Sequence, residues 1–189
     1  MFMKRNRSSV RRIARSLALA SPYLPCAAIG CGSGEEYSGA LPTPDGARFV
    51  TDVYPLLLRD CGFVECHGKP ERFFHIVGPG RARLDPATEP EDPATFAEVQ
   101  LTYQRTLSML ASSKELDDSL LLRKPLELAA GGQGHKGVDE LARNVFASMA
   151  DPSYLVLRTW ARSNGAPPTA AQVEAVNAAV AAAQEEPSP

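Results

Sequence analysis

Two cysteines and a histidine in the stretch Cys61-Gly-Phe-Val-Glu-Cys66-His67-Gly68 are the residue types that attach a haem covalently. Each thiol can add to one vinyl group of the porphyrin and form a thioether, and the adjacent imidazole then lies where it can bind the iron. The usual spacing is C-x-x-C-H, whereas four residues separate the two cysteines here. A disulfide between Cys61 and Cys66, or an unrelated metal half-site, also explains these residues, and both stay open on this pattern alone.

Charge is distributed unevenly along the chain. The 189 residues are 44% hydrophobic, which is sufficient for one domain with a core, and the formal net charge is −2. Six of the 20 basic residues and none of the 22 acidic residues lie in the first 31 positions, so the remainder has 14 basic and 22 acidic residues and a charge of −8. This acidic remainder disfavours nucleic acid as a partner.

Residues 1–31 have the organisation of an export signal. A basic region extends to Arg15, and the apolar region that follows, 17–29, is shorter than the roughly 20 residues of a membrane-spanning helix. The segment ends in Ala28-Ile29-Gly30-Cys31, which resembles the lipobox of bacterial lipoproteins and predicts lipidation of Cys31. We therefore expect an exported lipoprotein, either periplasmic or associated with the outer membrane. Ordinary signal-peptidase cleavage is the alternative.

The number of cysteines limits what the folded domain can bind. Cys26 lies within the signal and Cys31 is the lipid acceptor, so only Cys61 and Cys66 remain. In an exported protein such a pair forms a disulfide or holds haem, and there are too few cysteines for a structural zinc site. The sequence also has no P-loop, no H-E-x-x-H motif and no nucleophile elbow, so it does not predict an enzyme.

The rest of the chain divides into a tether and one domain. Residues 32–46 are rich in glycine, proline and polar residues, which predicts a flexible tether. Residues 47–185 show helical periodicity and no convincing strand alternation, which predicts a small all-α domain with long Gly/Pro-rich loops. The first helix is expected over 51–60, with Thr51 as its N-cap and Pro55 in its first turn.

Later helices are predicted mainly from their capping residues. Asp92-Pro93 is expected to open a second helix, which continues to about Ala111. The remaining expected elements are a short apolar turn over 120–122, a helix over 138–150, a helix from Asp151-Pro152 to Asn164-Gly165, and a helix opened by the capping box Thr169–Gln172.

The long segment 69–92 is expected to lack regular structure and, in a haem protein, to wrap one edge of the ring. Arg72, Arg81 and Arg83 are then candidates to pair with the haem propionates, because a guanidinium matches a carboxylate in two hydrogen bonds. Solvated surface arginines are the alternative for each. His75 is expected to pack locally or to lie on the propionate side.

Four features in this order resemble the planctomycete-type cytochrome c domains of exported bacterial proteins. They are Val53-Tyr-Pro55-Leu-Leu57, the cysteine motif, Ser119-Leu-Leu-Leu-Arg-Lys-Pro125, and the helix end from Trp160 to Gly165-Ala166. The similarity extends over about 49–166, at scattered points. It implies a cytochrome c-like fold with one covalently attached haem c, held through Cys61 and Cys66, with His67 as the proximal iron ligand.

The resemblance leaves the sixth iron ligand open. Some members of the family have a His-Gly-Gly-rich loop before the last aromatic helix, and Gly131-Gly-Gln-Gly-His135-Lys-Gly137 is similar to it, so His135 is the preferred distal ligand. Met149, Met109 and an open or water-bound site are the alternatives; an open iron face would leave room for enzymatic activity.

The resemblance implies a membrane-anchored monohaem electron carrier with an unidentified redox partner protein. The competing hypothesis is a surface lipoprotein without haem. In that case a Cys61–Cys66 disulfide pins a loop, and the protein acts as a binding or scaffolding module.

Overall fold

The computed structural model describes residues 42–135 and 145–185. These residues form helices and no strand; their only sheet-like pairing is an isolated bridge between Leu126 and Phe146. The prediction of an all-α domain is therefore confirmed. The export signal, Cys31, most of the tether and most of the helix expected over 138–150 lie outside the described residues.

The first helix begins five residues earlier than the sequence predicts. An α-helix, Gly46–Arg48, continues through a π-helical turn, Phe49–Val53, into an α-helix, Tyr54–Asp60, and we call this continuous run α1. Its N-cap is Asp45, whose carboxylate accepts a hydrogen bond from the Arg48 backbone N–H at 3.0 Å. The prediction of Thr51 as the N-cap is therefore wrong.

Pro55 explains both the irregular helix and the error in predicting its start. Proline has no N–H to donate to the carbonyl four residues earlier, so it fits the first turn of a helix or a local change in helical bonding. Here it follows directly on the π-helical turn, inside a longer helix. The sequence around Pro55 looks the same whether a helix begins there or continues through a π-helical turn.

The second helix, α2, spans Phe96–Leu110. Its N-cap is Thr95, and Thr95 and Glu98 form a reciprocal capping box in which each side chain accepts from the other residue's backbone N–H. The predicted start at Asp92-Pro93 is therefore three residues too early. The predicted end near Ala111 is confirmed, since Ala111 is the C-cap.

A buried ion pair attaches the irregular segment 69–92 to α2. Arg83 donates to both carboxylate oxygens of Glu98, at 2.8 and 2.9 Å, and the two side chains are 5% and 1% exposed. Arg83 also donates to the carbonyl oxygens of Glu89, Asp92 and Pro93. Both charges are thus fully hydrogen-bonded, which is what a buried pair requires to be stable. Arg83 is neither a solvated arginine nor a group available to a haem propionate.

Three further helices follow. Helix α3, Leu120–Arg123, comes after a 3₁₀ turn, Leu116–Asp118, and precedes a second 3₁₀ turn, Leu128–Ala130. Helix α4 spans Pro152–Ala161 with Asp151 as N-cap, and α5 spans Ala170–Glu185. The predicted capping box that opens α5 is confirmed, because Thr169 and Gln172 exchange side-chain to backbone hydrogen bonds.

The sequence predicts a helix over 138–150, of which the structure describes 145–150. These residues are not helical, so this part of the prediction is wrong. The backbone of Phe146 donates to the Pro125 carbonyl and accepts from the Glu127 N–H, each at 3.0 Å. These two bonds replace the helical ones. The Phe146 side chain is 1% exposed, and its ring lies edge-on to Tyr154.

An aromatic core joins the start of α1 to α2 and α4. Phe49, Tyr103 and Trp160 form a mutually contacting group, with ring centroids 5.1 to 6.2 Å apart. Trp160 Nε1 donates to the Asp45 carbonyl and the Tyr103 hydroxyl to the Pro44 carbonyl, both at 2.9 Å. The last residues of the predicted tether therefore pack on the domain. No helix among the described residues has the length and apolarity needed to cross a membrane.

Replacing Glu98 by glutamine is expected to lower the free energy of unfolding by about 3 kcal/mol, because the buried Arg83 charge loses its counter-charge. The matched control is Asp52→Asn, which alters the exposed Arg48–Asp52 pair on α1 and is expected to cost less than about 0.5 kcal/mol. Urea unfolding of the three proteins gives the comparison. Equal effects of the two substitutions would contradict the role given to Glu98.

The same pair gives a pH dependence with a defined sign. Burial alone would raise the pKa of Glu98, but the Arg83 guanidinium and the backbone N–H groups of Thr95 and Leu84 outweigh it and hold this pKa below its ordinary value of 4.5. A carboxyl with a lowered pKa adds stability above its unfolded pKa and loses it as the pH falls through the folded value. The Glu98→Gln protein should therefore lose less stability than the wild type between pH 6 and pH 3.

Candidate functional site

One cavity of about 370 Å³ contains all four haem-site residues predicted from the sequence. Cys61, Cys66 and His67 enter it from the end of α1, and His135 enters from the glycine-rich loop that follows the second 3₁₀ turn. The rest of the lining is mainly apolar, with four charged residues: Leu57, Phe74, Met109, Leu120, Leu121, Pro125, Val145 and Leu157, with Asp60, Glu65, Arg72 and Lys124. Residues far apart in the sequence thus share one mainly apolar site.

The cysteine motif forms a compact turn at the end of α1. The backbone N–H groups of Cys66 and Gly68 both donate to the Phe63 carbonyl, and that of His67 donates to the Cys61 carbonyl at 3.0 Å. A side chain at position 68 would place its Cβ 2.5 Å from the Gly62 carbonyl oxygen, so only glycine closes the turn. The turn fixes Cys66 and His67 relative to Cys61.

Both cysteines of the motif are free thiols in the structure. Cys61 is buried, and this burial, with a smaller effect from the Asp60 charge, raises the pKa of its thiol to about 12. The thiolate is the form that attacks other sulfurs or alkylating agents. At neutral pH the Cys61 thiol is therefore protonated and unreactive in the folded domain. Cys66 is only half-buried.

His67 is held in the tautomer that can bind a metal. Its Nδ1–H donates to the Phe74 carbonyl at 2.8 Å, and the Phe74 ring lies edge-on to it at 4.7 Å between centroids. Burial lowers the pKa of His67, so the ring is neutral near pH 7. Because Nδ1 has the proton, the lone pair is on Nε2. A backbone carbonyl that orients an imidazole in this way is a common support for a metal-ligating histidine.

The His135 ring lies close to the His67 ring, with the ring centroids 5.7 Å apart and the ring planes at 47°. The loop that brings it there depends on glycines. Gly131 and Gly134 have positive φ angles of 95° and 72°, and a Cβ at Gly132 would lie 1.8 Å from the Leu126 carbonyl oxygen. The glycine composition that marked this loop in the sequence is thus a steric requirement.

The cavity brings two imidazoles and two thiols together. Across residues 42–135 and 145–185, no group of three or more His, Cys, Asp or Glu side chains could hold a metal ion. Cys61, Cys66, His67 and His135 are the residues of this lining that would hold a covalently attached haem, which would supply one-electron chemistry.

The other candidate residues divide into those that line the cavity and those that do not. Met109 lines it, whereas Met149 is half exposed and lies elsewhere. Of the remaining predicted arginines, Arg72 lines the cavity. Arg81 instead donates to the Leu58 carbonyl at 2.7 Å and lies over the Phe63 ring. His75 is not part of the lining.

Sequence reasoning missed Lys124 as a residue of the site. It follows the last residue of α3, inside the stretch from Ser119 to Pro125, and it lines the cavity. Only the packing of α3 beside α2 and α4 places it there, and no local pattern predicts that packing.

Comparisons of this chain with protein-family models, with curated proteins and with solved structures found no match.

In the haem-free folded protein, Cys66 should react with iodoacetamide at pH 8 at least ten times faster than Cys61, because Cys61 is buried and its pKa is raised. Peptide mapping after short exposures gives the two rates. In the unfolding control, with urea present, the two rates should become similar. Equal rates in the folded protein would contradict the described environment of Cys61.

Proposed function

We propose that this chain is a monohaem c-type cytochrome that acts as a membrane-anchored electron carrier. The observation that supports this most strongly is the cavity itself, in which two free thiols and two neighbouring imidazoles meet. The sequence motif accounts for three of these groups. The fourth, His135, comes from a distant loop, and its place beside His67 in the same cavity is independent support.

Each of the four residues has a defined role in this proposal. Cys61 and Cys66 attach the haem through thioethers, His67 is the proximal iron ligand through Nε2, and His135 is the distal ligand. When bound, the haem supplies a one-electron ferric/ferrous couple. The Phe74 carbonyl keeps His67 in the ligating tautomer, and most of the residues around the site are apolar. Two imidazole ligands favour a lower potential than an imidazole and a methionine.

The cytochrome c-like fold, the export and the anchor belong to the same proposal. They rest on the family resemblance and on the lipobox-like segment that ends at Cys31, which lies outside the described residues. A lipid at Cys31 would place the haem domain beside a membrane, in the periplasm or at the outer membrane. The partner is then another redox protein, and no substrate chemistry is required of this chain.

The competing proposal, a binding or scaffolding lipoprotein pinned by a Cys61–Cys66 disulfide, rests on the same two cysteines. Both thiols are free in the structure, and the buried Cys61 thiol has a pKa of about 12. The thiolate is the attacking form both in disulfide exchange and in addition to a vinyl group, so the raised pKa does not distinguish the two proposals. No contact among the described residues favours a disulfide over haem attachment.

Haem attachment is tested by expressing the exported protein together with a haem-attachment system. We expect a Soret band and a haem-stained band that survives denaturing electrophoresis, because thioethers are covalent. The double variant Cys61→Ala/Cys66→Ala should show no stained band. A colourless wild-type preparation in which peptide mapping finds Cys61 joined to Cys66 would instead support the disulfide proposal.

The distal ligand is tested by replacing His135 with alanine in the matured protein. The optical spectrum should change from low-spin six-coordinate iron to high-spin iron, because one axial ligand is lost. The control is Met109→Leu, which keeps the volume of the one cavity-lining methionine and should leave the spectrum low-spin. A low-spin spectrum in His135→Ala and a changed one in Met109→Leu would assign the sixth position to Met109.

A further inference from the structure

Arg123, the last residue of α3, contacts the loop that supports His135 through both its side chain and its backbone. Its Nε–H donates to the Gly131 carbonyl at 3.1 Å. Its own carbonyl accepts from the Gln133 N–H at 3.0 Å. The two bonds bracket Gly132, whose N–H donates to the Glu127 carbonyl at 2.9 Å. The loop is therefore hydrogen-bonded at three successive residues, just before His135.

An ion pair sets the direction of the Arg123 side chain. Its Nη1 donates to Asp118 Oδ1 at 2.7 Å, across the short helix α3. A guanidinium is planar, so fixing Nη1 on Asp118 also fixes the direction of Nε. The Gly131 carbonyl lies where Nε points. Lysine at this position would keep the charge but would lose the second, fixed donor.

The loop needs such a support because its sequence gives it little rigidity. Glycines lose more backbone entropy on ordering than any other residue, and three of the four residues from Gly131 to Gly134 are glycines. Gly131 and Gly134 also adopt left-handed conformations. The position of His135 therefore depends on the contacts that the loop makes with Arg123 of α3 and with Glu127, which follows α3.

We propose that Arg123 is a positioning residue that holds His135 over the cavity, close to His67. This inference rests on the proposed function, in which His135 is the distal iron ligand. Arg123 does not itself line the cavity. When its side chain is removed, His135 should leave the distal position in part of the molecules. A small external ligand, such as carbon monoxide, can then take the vacated position by simple exchange with the imidazole.

Arg158 on α4 provides a matched control. It makes a two-point ion pair with Asp117, at 3.1 and 2.8 Å, and its side chain is 30% exposed, compared with 33% for Arg123. The two arginines thus resemble each other in exposure and in their carboxylate partner. They differ in one respect. Arg123 donates to the Gly131 carbonyl of the glycine loop, whereas the contacts described for Arg158 are with Asp117.

The experiment compares Arg123→Met and Arg158→Met in the haem-loaded protein. Arg123→Met should show a mixture of low-spin and high-spin iron. Its reduced form should bind carbon monoxide about tenfold faster than wild type, because losing one hydrogen bond changes a local equilibrium by about that factor. Arg158→Met should match the wild type in both measurements. A low-spin spectrum and an unchanged binding rate in Arg123→Met would overturn the proposal.

Two further variants separate the loop contact from the ion pair and from folding. Asp118→Asn keeps the Nε donor and should give a smaller high-spin fraction than Arg123→Met. Arg123→Lys keeps the charge and should behave like Arg123→Met; it takes the place of that variant if Arg123→Met does not fold. Wild-type behaviour of Arg123→Lys would also overturn the proposal.

Amide hydrogen exchange in the haem-free protein distinguishes this inference from the proposed function. Arg123→Met should raise the exchange rates of the Gly132 and Gln133 amides about tenfold, whereas Arg158→Met should not. A wild-type protein that never takes up haem would refute the proposed function but would leave this measurement informative. Unchanged exchange at both amides would overturn the positioning role whether or not haem binds.

Discussion

The buried ion pair between Arg83 and Glu98 is the interaction on which the position of the site most depends. The segment 69–92 has no helical bonding of its own, and this pair fixes it to the first turn of α2. The same segment presents the Phe74 carbonyl that orients His67. A buried charge pair is stable only when its hydrogen bonds are complete, and Arg83 completes them with the backbone carbonyls of Glu89 and Asp92 in its own segment and of Pro93 just after it. The tautomer of His67 thus depends on an ordered loop more than on a helix.

The cavity is the space left where α1 ends against the rest of the domain. Trp160 and Tyr103 bind the carbonyls of residues 44 and 45 and so fix the beginning of α1, while its far end turns into the cysteine motif. With one end fixed by the aromatic core, the helix places Cys61 at a defined depth. The thiol is buried as a consequence, and its raised pKa follows from that burial.

Local signals predicted the elements that local interactions determine. The motif residues Cys66 and His67 are neighbours in sequence, and the Asp151 and Thr169 caps lie next to the helices they begin, so each could be predicted from the sequence around it. Non-local interactions could not be predicted in this way. Asp45 replaced Thr51 as N-cap because the π-helical turn extends the helix backwards. Arg83 was expected to pair with a haem propionate or to be solvated, and its pairing with Glu98 was not predicted because Glu98 lies beyond an irregular stretch. His135 was proposed from the resemblance of its glycine-rich loop, but only the folded chain brings it close to His67.

The turn that joins the two cysteines accommodates the unusual spacing between them. Four intervening residues would separate the thiols if the chain were extended, but the Phe63 carbonyl accepts hydrogen bonds from both Cys66 and Gly68, which folds the extra length back. The side chains of Phe63 and Val64 are 44% and 56% exposed, so the added residues project towards solvent. The two thiols and His67 nevertheless line one cavity. The four intervening residues therefore do not separate the two cysteines from one site, because the excess length is taken up outside it.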